Sequence, residues 1–77
     1  MEAHYELTDT FGGEANYSWV KRGTLPVKEE TTELSIVRGV KKALGMENVK
    51  CKRVSSWNMI ELRPHGICAV IFITFVD

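Results

Sequence analysis

The stretch Ile67-Cys68-Ala69-Val70-Ile71-Phe72-Ile73-Thr74-Phe75-Val76 decides the fold. Alternation sorts it into two rows, with Ile67, Ala69, Ile71, Ile73 and Phe75 on one and Cys68, Val70, Phe72 and Val76 on the other. Both rows are apolar, and a strand apolar on both sides is normally covered on both sides. The run is about half the length a membrane helix needs, so no membrane role is expected. A single helix can cover one face only. The second face calls for the N-terminal hairpin to fold over it or for a second protein chain, and a homodimer is the expectation drawn from it.

Upstream of this strand, Pro64-His65-Gly66 turns the chain and Met59 to Arg63 reads as a strand. Ser55 to Asn58 is a short connection. Val49 to Val54 is a further strand, with Val49 and Cys51 on one face and Lys50 and Lys52 on the other. Before it lies the one clear helix, Thr31 to Leu44, whose apolar stripe is Leu34, Ile36, Val37, Val40, Ala43 and Leu44. Thr31 or Thr32 can cap its start, and Glu29, Glu30 and Glu33 favour the positive end of its dipole. Lys41 and Lys42 sit in the last turn, with Gly45 as the stop. Gly39 invites a close approach of helix to sheet.

Near the N-terminus, residues 3 to 9 alternate, with Tyr5 and Leu7 opposite His4, Glu6 and Thr8. Phe11 to Asn16 has turn chemistry, and Tyr17 to Arg22 forms a second strand, with Gly23 to Pro26 breaking regularity. The order is β-β-α-β-β-β, with strands mostly joined by short turns. It predicts a single α+β domain over 1–77, an antiparallel sheet of about five strands with one helix packed on one face.

With 77 residues, 44% apolar and 26% charged, the chain holds one ordinary globular domain, small enough that a staple or a partner would help it. Collagen-like, disordered and disulfide-rich classes are excluded by this balance. Met1-Glu2-Ala3-His4 shows no basic n-region and no apolar h-region follows, so no signal peptide is expected. Two cysteines, Cys51 and Cys68, make no disulfide framework, and a cytoplasmic location with reduced thiols is expected.

Ten bases offset ten acids, but the two signs are segregated. Residues 1–37 carry seven acids and three bases, a net of −4, and residues 38–77 carry the reverse. Arg38, Lys41 and Lys42 share a helix face at i, i+3, i+4 spacing, and Lys50, Lys52 and Arg53 follow in the next strand. Such a patch suits phosphates or an acidic protein surface, whereas the plain alternative is a solvated helix face. Nothing resembling a helix-turn-helix, zinc finger or RRM accompanies it. Trp57, in a loop beside Asn58, is the candidate interface anchor; Trp19 alternates within its strand and is expected to pack.

Chemistry is poorly represented. His4, Cys51, His65 and Cys68 lack the knuckle spacing of a zinc site, and the simpler reading is a turn histidine and a core cysteine. Cys68 lies in the most apolar strand, away from nucleophilic chemistry. Asp9 and Glu14 flank Gly12-Gly13, but nothing fixes their separation, and no phosphate-loop lysine accompanies the glycines. The chain is expected not to be an enzyme and to need no metal or other cofactor.

The run from Asp9 to Val20 (Asp-Thr-Phe-Gly-Gly-Glu-Ala-Asn-Tyr-Ser-Trp-Val), with the helix and the Cys68-to-Phe75 strand, resembles small uncharacterised accessory proteins of bacteriophages, prophages and plasmids. The resemblance implies a bacterial host cytoplasm and a non-enzymatic binding role. Some such proteins, anti-CRISPR proteins among them, inhibit host defence by binding a protein complex. The expected partner-binding residues are Arg38, Lys41, Lys42, Lys50, Lys52, Arg53 and Trp57, with nucleic-acid binding through the same cations as the alternative.

Overall fold

Five strands and one helix follow the expected order: β1 (Glu2–Phe11), β2 (Glu14–Pro26), α1 (Glu33–Ala43), β3 (Cys51–Ser55), β4 (Met59–Pro64) and β5 (Ala69–Val76). They come from a computed structural model that describes all 77 residues. The strands form one antiparallel sheet in the order β2-β1-β5-β4-β3, so the N- and C-terminal strands lie side by side at its centre. β2 and β3 are the two edges, and the chain between them carries α1 across one face.

That face holds the core. Ala3 and Leu7 of β1, Ala69, Ile71 and Ile73 of β5, and Ile60 and Leu62 of β4 pack against Ile36, Val37 and Val40 of the helix. The register sets this, since Leu7 and Leu62 both pair with Ile71, and Ile60 pairs with Ile73. Thr32 caps the helix, its Oγ1 accepting from the Ser35 N–H at 3.1 Å. Gly45 ends it at φ 71°, a value that favours glycine. A Cβ on Gly39 would sit 3.2 Å from Leu25 Cδ1, so the glycine does bring the helix close to β2.

Several boundaries differ from the sequence expectations. The β1–β2 turn is only Gly12-Gly13, at φ 62° and 85°, and β2 continues through Gly23 to Pro26 where a break was expected. Gly23 is needed in mid-strand because the Tyr5 ring, opposite it in the register, lies where a Cβ would stand. Leu34 and Ala43, expected on the buried stripe, are exposed, because the helix presents only its Ile36–Val37–Val40 line to the sheet. Ile67 and Cys68 precede β5 and are exposed, so Cys68 is not a core cysteine.

The second face is covered in part by the hairpin. Arg63 points away from the core on β4, and its Nη1 donates to the Gly13 carbonyl at 2.6 Å. The tip of the β1–β2 hairpin therefore reaches across β5. Beneath it Thr8 and Val70, paired in the register, are fully buried. Phe72 and Thr74 remain half-buried and Val76 is exposed.

Candidate functional site

The expected partner-binding residues cluster on the β3 side of the molecule but on two faces. Leu34, Val37 and Lys41 of the helix, with Cys51 and Arg53 of β3 and Leu62 of β4, line a groove of about 310 Å³ between α1 and the sheet edge. A second depression of similar size is lined by Arg38, Lys41, Lys42, Glu47 and Asn48. Lys52 pairs with Arg63, whose side chain crosses the opposite face, so Lys52 lies on that opposite face too. Lys50, whose carbonyl accepts from the His65 N–H, is exposed one residue before the strand. Arg38, Lys41, Lys42 and Arg53 are thus brought together, and Lys52 is separated from them by the thickness of the sheet.

None of these cations is in an ion pair. The three ion pairs of the protein are His4–Glu2, Arg22–Glu6 and Arg63–Glu61. Trp57 is 98% exposed at the tip of the β3–β4 turn. That turn is closed by the Ser56 N–H donating to the Met59 carbonyl at 2.8 Å, so the indole projects from a fixed base. Burial pushes the Cys51 thiol up, with Lys41 opposing in part, which keeps this groove-lining thiol protonated near neutral pH.

A different constellation, which sequence reasoning missed, fastens the hairpin. Four residues of β2, Asn16 to Trp19, stand opposite the single residue Asp9 of β1. This bulge wraps two short polar side chains. Thr8 Oγ1 accepts from the Tyr17 N–H and donates to the Trp19 carbonyl, each at 3.0 Å. The Asp9 carboxylate accepts from Ser18 Oγ at 2.6 Å, the Ser18 N–H at 2.9 Å and Asn16 Nδ2 at 3.0 Å. Tyr17, at φ 56°, donates through its hydroxyl to Glu6 Oε2 at 2.6 Å, and Arg22 Nε donates to Glu6 Oε1 at 2.9 Å. Trp19, expected to pack, is 45% exposed because the bulge breaks the alternation on which that expectation rested.

These bonds shift titrations in a consistent sense. Ser18 and Asn16 hold the Asp9 carboxyl far below the usual carboxylate range. Tyr17 and then Arg22 lower Glu6, while the Glu6 carboxylate raises the Tyr17 phenol above its ordinary value. A depressed carboxyl stabilises the fold fully above its unfolded value of about 4 and loses that contribution as the pH falls further. A raised phenol stabilises below its unfolded value of about 10 and loses that contribution as the pH rises through the folded value. The distal hairpin should therefore keep its amide protection between these limits and open on either side before the core unfolds. Hydrogen exchange at the Ser18 amide checks this: Asp9→Asn should abolish most of the acid limb, and Tyr17→Phe the alkaline one.

The remaining candidates for chemistry are not assembled. Asp9 is engaged by Ser18 and Asn16. No group of three His, Cys, Asp or Glu side chains converges as a metal site. The largest depression, about 480 Å³, lies on the partly open face along His4, Glu6, Arg22, Thr24, Phe72 and Thr74. Its carboxylate, Glu6, is already taken by Tyr17 and Arg22. No helix is long and apolar enough to cross a membrane. Compared with protein families, characterised proteins and solved structures, the chain matches none.

Proposed function

We propose that this chain is a small non-enzymatic interaction protein that docks on a protein partner through its β3 side. One observation carries the reading: Trp57 stands almost wholly in solvent on a closed turn, at the end of the strand whose helix flank bears unpaired cations. A fully exposed indole on a fixed base has the character of a binding hot spot, and the surrounding charge suits an acidic partner surface. The resemblance to accessory proteins of mobile elements points to inhibition of a bacterial host defence complex, in the manner of anti-CRISPR proteins. The test is phage plating on strains that each carry one defence system, with and without this chain. Inhibition by the native chain should be lost in Trp57→Ala, which removes about 2 kcal/mol or more of binding, roughly 30-fold. Lys41→Glu with Lys42→Glu should lose it as well, with Tm lowered only by the lost charge complementarity at the helix C-terminus, and Lys41→Gln with Lys42→Gln should weaken inhibition with a smaller change in Tm. Inhibition that survives both changes would overturn this docking face.

The second reading, nucleic-acid binding, is favoured by the convergence of Arg38, Lys41 and Lys42 on one depression. Against it, Glu47 lines the same depression and Lys52 lies across the sheet, so the cationic surface is not continuous. Affinity for a DNA duplex that falls steeply with salt would favour this reading. The homodimer has less to rest on than the doubly apolar strand suggested, because the β2 bulge already wraps Thr8, and Val70 beside it is fully buried. A second copy would have to seat on the strip of Phe72, Thr74 and Val76. Light scattering over a concentration range tests that strip.

A further inference from the structure

The β3 edge offers more than charge. β3 pairs with β4 alone and ends the sheet. The His65 N–H donates to the Lys50 carbonyl and the Ser56 N–H to the Met59 carbonyl, each at 2.8 Å. Alternation along an antiparallel pair then directs the main-chain groups of Lys50, Lys52, Val54 and Ser56 towards β4. Those of Cys51, Arg53 and Ser55 point outward, unpaired. The same three residues carry their side chains on the helix side, where Cys51 and Arg53 line the groove against Leu34 and Lys41. An unmet row of backbone donors and acceptors therefore runs beside an apolar slot with cationic rims. Leu34, 50% exposed, overhangs it.

We propose that this edge accepts an extended acidic segment of a partner protein as a sixth strand, its main chain pairing with Cys51, Arg53 and Ser55. This deepens the docking role proposed above and rests on it. Strand addition draws affinity from main-chain hydrogen bonds and specificity from alternate side chains. On the helix side the segment places apolar side chains against Leu34 and the stem of Arg53. On the other side its carboxylates meet Lys52 and Lys50. Charge decides the occupant. Two β3 edges brought together would set Lys52 and Arg53 of one copy against those of the other, so a second copy is disfavoured there and an acidic strand is favoured. Glu33 is turned onto the Ser55 hydroxyl and Glu47 lies in the neighbouring depression, so the groove itself is lined by no carboxylate. The opposite edge is a poorer template, because β2 carries the four-residue bulge and ends in Pro26.

The experiment is an amide-resolved NMR titration of the full chain with an acetylated, amidated octapeptide of alternating Glu and Val. Shifts should be confined to residues 50–55 and the Leu34–Lys41 flank, and exchange of the Arg53 amide should slow. The same peptide N-methylated at alternate residues keeps its charge and side chains but loses the ladder, so it should not bind, and this comparison needs no protein variant. A Lys–Val counterpart should not bind either, and Arg53→Glu should weaken the acidic peptide roughly ten-fold or more. The proposal is overturned if the N-methylated peptide binds as well, if the shifts map elsewhere, or if a DNA duplex displaces the peptide. It is overturned equally if the β3 shifts appear with rising protein concentration alone, which would make the occupant a second copy. Should the peptide fail while Trp57→Ala and the helix charge reversals still abolish inhibition, the strand is wrong and the docking face stands. Should inhibition persist in those variants, the docking face itself is wrong.

Discussion

Ile71→Ala is expected to remove a large share of this protein's stability, about 2–5 kcal/mol. Ile71 is fully buried at the middle of the central strand β5, with Leu7 on one side and Leu62 on the other in the same layer. Truncating a buried isoleucine costs about 2–5 kcal/mol, the upper part of the range applying where surrounding structure cannot collapse into the space. Here two hydrogen-bonded neighbours hold the walls apart, so relaxation is limited. A chain of 77 residues has about 4–12 kcal/mol of total stability, and the loss takes a large share of it. Urea denaturation followed by far-ultraviolet circular dichroism measures the effect. Ile71→Val, which keeps most of the volume, should cost only about 0.5–1.5 kcal/mol. Equal losses for the two variants would mean that this site is not the tightly packed centre described.

Thr8→Val should release the hairpin without unfolding the core. Valine matches threonine in shape and β propensity, so the change removes the hydroxyl and little else. The Tyr17 N–H and the Trp19 carbonyl both lose their partner, at about 1–3 kcal/mol for each group left unpaired away from water, and less where water replaces it. Both residues are partly exposed, so the lower end of that range applies to each. The consequence reaches further than the bulge. With Asp9 and Glu6 alone left to hold residues 16 to 19, the bulge opens more often, and each opening carries the Gly13 carbonyl away from Arg63 and exposes Val70. Amide exchange of residues 14–19 should accelerate strongly while β4 and the inner part of β5 remain protected. Thr8→Ser, which keeps the hydroxyl, should behave nearly as the native chain. Uniform acceleration across the sheet would show instead that hairpin and core open as one unit.

The parts of the protein written in local chemistry were legible from its residues. The helix was announced by its stripe, by a threonine cap and by Gly45, and it occupies Glu33–Ala43. The double apolar alternation of the last strand required two covered faces, and the structure covers one with α1 and part of the other with the hairpin tip. The helical spacing of Arg38 and Lys41 likewise put them on one side of α1. Each of these features depends on residues a few positions apart, and at that range the periods of helix and strand fix direction.

Strand order and everything that follows from it belonged to the tertiary structure. Nothing local says that β1 lies beside β5 or that β3 is an edge, because these are pairings between residues far apart in the chain. That Lys52 falls on the other face from Arg53 was implicit in the alternation, but that Arg53 overlooks a groove required the helix to leave β3 uncovered. Thr8 and Asp9 looked like the polar side of a strand; only the bulge opposite them turns their oxygens into the fastening of the hairpin. Gly23 read as a break, and only the Tyr5 ring packed over it makes it part of a strand. Short-range periodicity determined which elements form and which faces are apolar. The choice of partners, and with it which backbone edges and which cations stay free, rests on long-range packing that no single segment encodes.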